Sequence, residues 1–313
     1  RKKHGLSCDN LRSVRIVTAE GKILTANKHD NEDLFWAVRG GGGNFGIVTA
    51  FEFELHEVGP MVMFCMPMYP IEKASKVLSA WRDFVVSSPD EVSSHALLWT
   101  VPDIEIFPEE ARGRDIVAVP ALYTGDPDKG QRVLQPLLDI DDVLLDLSGQ
   151  LPFTAVQSMV DWVFPKNERY YYFKSTDLNS LDDHVLKAII SKAKERPVSS
   201  MLMAIWHYGG EMNRIGAEET AFGSRDTSFL LSVDSIWDDQ ADSDRVIQWS
   251  RKVLEEMKPY AGEGMYPNFP GFGEEGNELV RSAYGVNYER LAIVKAKYDP
   301  DNFFNVNLNI KPA

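Results

Sequence analysis

The stretch Phe35-Trp36-Ala37-Val38-Arg39-Gly40-Gly41-Gly42-Gly43-Asn44-Phe45-Gly46-Ile47-Val48-Thr49 decides the fold of this chain. Residues from about 31 to 38 predict a short amphipathic helix, and residues 47–55 alternate apolar and polar side chains as a half-buried strand does. Four consecutive glycines remove every Cβ, so the backbone can adopt positive φ and lie against something flat or phosphorylated. Because they follow a helix and precede a strand, they form neither a Walker loop nor a Rossmann fingerprint. A flexible turn is the alternative interpretation.

Further motifs stand in a fixed order on both sides of this stretch. They are GLSCDNL at 5–11 and VRIVTAEGKIL at 14–24, and, near the other end, YGVNYERL at 284–291 and YDPDNFF at 298–304. The series resembles the berberine-bridge-enzyme-like FAD-linked oxidases, a branch of the vanillyl-alcohol-oxidase flavoproteins. The resemblance implies FAD as the cofactor and a flavin domain combined with a substrate domain.

The composition excludes several classes of partner. A formal charge of −14 over 313 residues argues against nucleic acid or an anionic membrane surface as a partner. No apolar run approaches the roughly 20 residues that cross a bilayer. The two cysteines, Cys8 and Cys65, cannot build a disulfide framework, and no Cys/His spacing predicts a metal site. We expect a cytoplasmic protein that binds a small molecule and no metal, nucleic acid or membrane.

Periodicity and the resemblance divide the chain into three parts. Residues 1–60 contain a predicted hairpin at 11–26 and a strand at 46–55. Residues 61–270 alternate strands with amphipathic helices, which predicts an α+β domain with a mainly antiparallel sheet flanked by helices. The predicted strands here are 94–101, 115–123, 199–208 and 228–237, and the predicted helices are 71–86, 130–138, 181–195 and 242–257. A helix over 277–298 and an extended tail follow. The resemblance implies that 1–60 is the C-terminal part of the flavin domain, that 61–270 is the substrate domain, and that 271–313 returns to the flavin domain.

The first residues of the chain are also informative through the resemblance. In the resembled family an equivalent of Arg1-Lys2-Lys3-His4-Gly5 follows a glycine-rich loop that cradles phosphate, so this loop and the covalent flavin-attachment residues are expected upstream. We therefore expect that the isolated chain holds no FAD without that segment. We also expect the apolar faces of the hairpin at 11–26 and of the strand at 46–55 to be exposed, or to be covered by a separate N-terminal piece or a neighbouring copy.

The resemblance implies flavin contacts from both ends of the chain, namely Gly43, Asn44, Gly46, Ile47, Val48, Tyr284, Asn287 and Asn307. Tyr284 and Asn287 are three residues apart and so share one face of a helix. The alternating asparagines of residues 305–309 point to one side of an extended segment, and amides pair well with the polar edges of an isoalloxazine ring. A tail that only closes the domain is the alternative interpretation.

Substrate contacts are expected from two segments of the middle domain. Tyr172 and Lys174 belong to an aromatic run that the resemblance places in the floor of the substrate domain, although a strand with buried aromatic residues is the alternative. His207 leads into Gly209-Gly210, which resembles the strand and hairpin turn that lie over the flavin ring in the family. Glu211 follows that turn, and a solvated carboxylate is the alternative to a catalytic one.

Tyr266 is the candidate catalytic base. The segment Tyr266-Pro267-Asn268-Phe269 resembles a family segment on a strand that enters the site, whose tyrosine acts as a general base in several members. Oxidation of an alcohol or amine carbon requires a base, because hydride moves to flavin N5 while a proton leaves the oxygen or nitrogen. A buried tyrosine with a backbone partner is the alternative interpretation.

The resemblance predicts an FAD-dependent oxidase that oxidises an alcohol or amine carbon, with O₂ as the reoxidant and H₂O₂ as the product. Two alternatives remain open: a flavin dehydrogenase that uses another electron acceptor, and a non-catalytic binding or scaffold protein that has lost the flavin. The sequence does not indicate the substrate, because this fold carries pockets of many kinds.

Overall fold

The computed structural model describes residues 1–271, 273, 276–305 and 308–313. The strands in this part of the chain are β1 (Leu11–Val17), β2 (Ile23–Asn27), β3 (Ile47–Phe53), β4 (Met61–Cys65), β5 (Pro67–Pro70), β6 (Val92–Thr100), β7 (Asp115–Ala118), β8 (Ala121–Tyr123), β9 (Leu145–Asp146), β10 (Gly149–Pro152), β11 (Tyr170–Leu178), β12 (Leu202–His207) and β13 (Phe229–Trp237). The α-helices are α1 (Glu32–Val38), α2 (Ala74–Ser87), α3 (Pro127–Leu138), α4 (Phe153–Ser158), α5 (Asp183–Lys194), α6 (Glu211–Arg214), α7 (Ser243–Met257), α8 (Asn277–Tyr284) and α9 (Tyr288–Tyr298).

Ten strands form one large antiparallel sheet. Its main path runs β10-β4-β8-β6-β12-β13-β11, while β5, β7 and β9 pair beside it. The strand pairs described are all antiparallel, and the longest ladder joins β11 to β13 from Tyr170↔Trp237 to Leu178↔Phe229. The predicted α+β class with a mainly antiparallel sheet flanked by helices is confirmed.

Four amphipathic helices, α2, α3, α5 and α7, cover one side of the large sheet. Their apolar stripes pack on alternate residues of the central strands, such as Leu98 of β6, Ile205 of β12 and Leu231 of β13. Two of these helices begin at side-chain caps: Asp126 accepts a hydrogen bond from Lys129 N, and Asp182 accepts bonds from His184 N and Val185 N. Within the described residues no helix is long and apolar enough to cross a bilayer.

A second, smaller layer combines the two ends of the chain. Strands β2-β1-β3 form a three-stranded antiparallel sheet. Its buried side chains, including Val14 and Ile16, form one core with residues of α1, α8 and α9 and with Leu308 and Ile310 of the tail. This packing supports the proposed grouping of residues 1–60 with 271–313. The domain boundaries themselves stay a prediction.

Local structure differs from the predictions in several places. The single helix predicted over 277–298 is broken into α8, a 3₁₀ turn at 285–287 and α9, because Gly285 takes a positive φ of 50° and ends α8. The strand predicted over 115–123 is two strands, since Val119 and Pro120 separate β7 from β8. The short strands β4, β5, β9 and β10 were not predicted, because two to five residues carry little periodicity.

Candidate functional site

The side of the large sheet opposite the four helices carries the candidate site. In an antiparallel ladder, paired residues project to the same side, and residues one apart project to opposite sides. Three cross-strand rows therefore share this side: His95–Trp206–Leu230–Asp177, Leu97–Ala204–Ser232–Ser175 and Leu202–Asp234–Phe173. We call this side the cleft face.

Two adjoining cavities lie on the cleft face. The smaller has a volume of about 260 Å³ and the larger about 540 Å³, and both are lined by His95, Leu97 and Trp206. Most of the lining side chains are apolar or aromatic. At one end of the smaller cavity Trp99, Phe107 and Trp162 form a triangle of rings whose centroids are 6.2–6.4 Å apart. This cleft has the size and apolar character of a small-molecule site.

Asp234 of β13 is the carboxylate among the residues that line the smaller cavity. Its side chain is buried, and its Oδ1 atom has no hydrogen-bond partner among the described residues. Burial disfavours the charged form and raises the pKa of Asp234 to about 7, although a hydrogen bond with Ser232 opposes this shift. The cleft therefore contains an acidic group that can change protonation state near neutral pH.

His95 and Arg1 define the other end of the cleft. The His95 ring stacks on Trp206 with centroids 4.5 Å apart, and the Arg1 guanidinium lies 5.1 Å from the Trp206 ring centroid and 5.6 Å from that of Tyr208. Burial, and then the neighbouring charge of Arg1, lower the pKa of His95 to about 3. His95 is therefore a neutral ring at physiological pH, and Arg1 brings the positive charge to this end.

Tyr266 lies at the edge of the cleft face, packed against the buried cluster that contains Tyr208 and Phe222. The prediction that Tyr266 lies on a strand is wrong. It lies in a tight turn in which Phe269 N donates to Tyr266 O at 2.9 Å, because Pro267 cannot continue a ladder. Its own N–H donates to Ser175 Oγ on β11, which fixes the turn against the sheet. Its hydroxyl accepts a hydrogen bond from Asn268 Nδ2 at 3.1 Å.

The other predicted substrate residues are not brought together with Tyr266. Tyr172 and Lys174 project to the helix side of β11, where Tyr172 is buried against α7 and its hydroxyl accepts a bond from Arg251. His207 also faces the helix side, with its ring 5.3 Å from that of Phe229. Glu211 lies near the surface and pairs with Arg214. The predicted hairpin after Gly209-Gly210 is wrong, since α6 and a long loop precede β13.

The glycine loop has one open side. Gly42 takes a φ of 67°, and a Cβ placed on Gly43 would meet no atom within 4 Å. Gly41 N–H bonds to Ala37 O, whereas the structure describes no backbone partner for the N–H groups of Gly42 and Gly43. By contrast, Gly46 packs closely against Val17 of β1, so its lack of a Cβ serves packing. The open peptides at 42 and 43 are suited to a flat ring or a phosphate.

Asn44 ties the glycine loop to the C-terminal tail. Its Nδ2 atom donates to Gly41 O and Leu308 O at 2.8 and 3.1 Å, and its Oδ1 atom accepts from Ile310 N at 2.9 Å. Its carbonyl accepts a 2.7 Å bond from Lys295 Nζ, which is fully buried in α9. Asn44 is therefore a junction inside the protein, and its side-chain amide is already used.

The remaining predicted flavin residues lie in different surroundings. The Tyr284 hydroxyl donates to Gly41 O at 3.4 Å, which places it beside the loop, and burial raises the pKa of this phenol. Asn287 instead donates to Ala217 O and Thr220 O, so it holds the 217–220 loop. Ile47 and Val48 lie in β3, where Ile47 is exposed. Asn307 lies outside the described residues.

Sequence reasoning missed Asp234, His95 and Trp206. A signal was present for Asp234, which is the acidic residue of the otherwise apolar and hydroxyl-bearing strand Phe229–Trp237. The rows on the cleft face depend on strand register, which alternation alone does not establish. Among the described residues no group of three or more His, Cys, Asp or Glu side chains could hold a metal ion.

Comparisons with known proteins extend these observations. A family model described as berberine and berberine-like matches residues 265–311. An FAD-linked oxidoreductase of Dictyostelium discoideum is 27% identical over 311 residues, and the match covers 98% of this chain and 64% of that protein. Berberine bridge enzyme-like 23 of Arabidopsis thaliana is also 27% identical, with 99% of this chain and 62% of the relative covered.

Solved structures agree on the fold. Chitooligosaccharide oxidase superposes with a TM-score of 0.82 at 22% identity, and the match covers 100% of this chain and 68% of that one. This chain thus spans about two thirds of the length of the proteins it matches. The matched motif at 265–311, the similarity along almost the whole chain and the shared fold make this chain similar to the berberine-bridge-enzyme-like FAD-linked oxidoreductases.

Proposed function

We propose that this chain is the substrate-binding part of an FAD-dependent oxidase that oxidises an alcohol or amine carbon of a small molecule. The observation that carries the proposal is the cleft face, where two adjoining apolar cavities lie on the same side of the large sheet as Ser175, whose hydroxyl accepts the bond that holds the Tyr266 turn. The relatives named as FAD-linked oxidoreductases support the redox class. Their names leave the substrate open.

The residues present fit one side of a flavin site. The open peptides of Gly42 and Gly43, with the Tyr284 hydroxyl beside them, would hold part of the group. When bound, the flavin supplies a hydride acceptor, and O₂ then serves as the reoxidant and yields H₂O₂. Asn44 would act indirectly, since its amide holds the loop in shape. Asn287 would position the 217–220 loop.

Tyr266 is the proposed proton acceptor at the substrate oxygen or nitrogen. Its hydroxyl oxygen is oriented by Asn268 Nδ2, and its ring is held between Phe222 and Phe269 with centroid distances of 6.2 and 5.2 Å. The neighbouring Arg1 brings positive charge to the same end of the cleft. In its phenolate form, a side chain fixed in this way would take the O–H or N–H proton of the substrate and become a neutral phenol without moving, as general base catalysis requires.

The experiment is to measure anaerobic flavin reduction in the flavin-loaded full-length enzyme carrying Tyr266→Phe. We expect a slowing of roughly 10²-fold or more, the scale on which a general base acts. Tyr170→Phe is the matched control, because Tyr170 stacks on Trp237 at the end of β11, away from the Tyr266 turn. An unchanged rate in Tyr266→Phe would remove the proposed role.

Two alternatives are separated by the same preparation. Reoxidation by a dye with negligible O₂ consumption would make the protein a dehydrogenase, and a full-length protein that never acquires flavin absorbance would be a binding or scaffold protein. We also propose that the 313-residue chain alone does not retain FAD, because the glycine loop offers few converging N–H donors for the pyrophosphate. Flavin absorbance that remains with the purified chain after gel filtration would contradict this.

A further inference from the structure

The smaller cavity on the cleft face has a chemistry poorly suited to a sugar. Fourteen of its sixteen lining residues are apolar or aromatic, and only His95 and Asp234 are polar. A sugar would bury several hydroxyl groups in this cavity, and each hydroxyl without a partner costs free energy. The body of the ligand should therefore be apolar.

Asp234 is the acidic residue that lines this cavity, and it requires a polar partner. It is 7% exposed, its Oδ1 atom has no partner among the described residues, and no Lys or Arg is among the residues that line the cavity. A carboxylate buried in apolar surroundings is costly unless a positive group pairs with it. A ligand cation would form a charge-assisted hydrogen bond with Asp234, which is stronger than the hydrogen bond of a neutral hydroxyl.

The sheet register sets the distance between Asp234 and the aromatic end of the cavity. Asp234 pairs with Leu202 on the neighbouring strand, and β6 with Trp99 lies one strand further. Adjacent strands are about 4.8 Å apart, so roughly 10 Å separates the carboxyl row from the ring triangle of Trp99, Phe107 and Trp162. A single aromatic ring joined to an amine by a short chain spans this distance.

We propose that the ligand of this cavity is an apolar aromatic amine whose ammonium group pairs with Asp234 and whose ring packs against Trp99 and Trp162. The proposal rests on the proposed function, because it names the substrate class of the same cleft. Arg1, at the opposite end, disfavours a second positive group there. The favoured class is thus a monoamine with an uncharged apolar end.

The test measures equilibrium binding to the purified protein by quenching of tryptophan fluorescence, since Trp99, Trp162 and Trp206 line the cavity. The probes are 4-phenylbutylamine, its neutral counterpart 4-phenylbutan-1-ol, and cellobiose, all at pH 8. We expect the amine to bind at least tenfold more tightly than the alcohol, and cellobiose to give no saturable quenching.

Asp234→Asn should remove the preference for the amine while the alcohol binds as before, which shows that the variant still folds and keeps the cavity. Asp244→Asn, at an exposed position in the first turn of α7, is the control and should keep the preference. Equal binding of amine and alcohol by the unchanged protein, absence of amine binding, or saturable binding of cellobiose would each overturn the proposal.

Flavin reduction, measured separately, keeps this proposal distinct from the proposed function. Tight amine binding without any reduction of bound flavin by amines would leave the ligand class standing and remove the oxidation. Reduction of bound flavin by cellobiose, with no binding preference for the amine, would keep the oxidation and remove the ligand class.

Discussion

The two sheets differ in how many of their faces are covered. All nine residues of β13 in the large sheet are buried, whereas six of the seven residues of β3 in the small sheet are exposed. The exposed side chains of β3 include Ile47, Phe51 and Phe53, so its apolar face meets solvent. Alternation of apolar and polar residues thus identifies a face suited to burial, but it does not say whether the same chain covers it.

The expected exposure of the strand at 46–55 is therefore observed, and Ile23 in the hairpin is exposed as well. Contiguous exposed apolar surface of this kind marks an interaction site in many proteins. The partner that would cover it, a separate N-terminal piece or a neighbouring copy, stays a prediction.

The other face of the small sheet shares one buried core with α1, α8 and α9. Lys295 and Asp299 form a fully buried ion pair in and after α9, with a separation of 2.5 Å. Burial alone would raise the pKa of Asp299, but hydrogen bonds from Lys295, Phe304 N and Phe303 N outweigh burial and hold that pKa below its usual range. The small layer therefore combines one exposed face with one rigid face.

The largest effect is expected where this rigid face is broken. Lys295→Met would leave the Asp299 carboxylate buried without its cation and would remove the bonds to Asn44 O and Phe304 O. Loss of one partner of a buried pair costs about 3–5 kcal/mol of unfolding free energy. Lys297→Met is the control, because Lys297 pairs with Asp33 at the surface and should cost about 1 kcal/mol or less. Urea denaturation measures both, and equal losses would show that the buried pair has no special role.

A direct comparison of the two sheets is the next test. Leu231→Ala in β13 should cost about 2–5 kcal/mol, because Leu231 is fully buried between the sheet and its helices. Ile47→Ala in β3 should cost less than about 1 kcal/mol, since Ile47 is 59% exposed and only strand propensity is lost. If the two losses in denaturant unfolding were similar, the face of β3 would be covered in solution.

A smaller, pH-dependent effect is expected on the cleft face. The folded-state pKa of Asp234, about 7, exceeds its ordinary value of 3.8, so the folded state binds more protons between these values and stability falls as pH rises from about 4 to 7. Asp234→Asn removes this penalty and should stabilise the protein by about 2 kcal/mol at pH 8, allowing for the cost of burying an amide. The gain should vanish near pH 4.

Thermal unfolding at a series of pH values measures the Asp234 effect. His95 and His207 have pKa values lowered to about 3, so they favour the folded state above pH 6.5 and lose this contribution as pH falls. Both histidines are present in each protein, so their contribution cancels in the difference between variant and unchanged protein. A difference that is the same at pH 4 and pH 8 would refute the assigned protonation of Asp234.

The sequence predicts the elements better than it predicts the site. The long amphipathic helices and the strands over β6, β12 and β13 are found within a few residues, because their periodicity is strong. The helix break at Gly285 depends on one positive φ, and the Tyr266 turn depends on Pro267. Both are effects of single residues, which a search for periodicity over many residues does not detect. The family motifs nevertheless predicted that the two ends of the chain pack together.

The site was harder to predict because side-chain direction depends on register. Tyr171, Tyr172 and Phe173 are all aromatic, and a shift of one residue decides which of them faces the cleft and which faces α7. Phe173 lies on the cleft face, and Tyr172 and Lys174 do not. Asp234 could have been selected from sequence only by asking why an acidic residue lies in the middle of a buried strand.

The Asn44 junction has a consequence for protein synthesis. Its partners Lys295, Leu308 and Ile310 lie 251, 264 and 266 residues further along the chain. At roughly 5–20 residues per second, a ribosome needs about 10–50 s to make the intervening chain. The hydrogen bonds that hold the glycine loop can therefore form only after this time. The ladders of the large sheet can form earlier, because its last strand, β13, ends at Trp237.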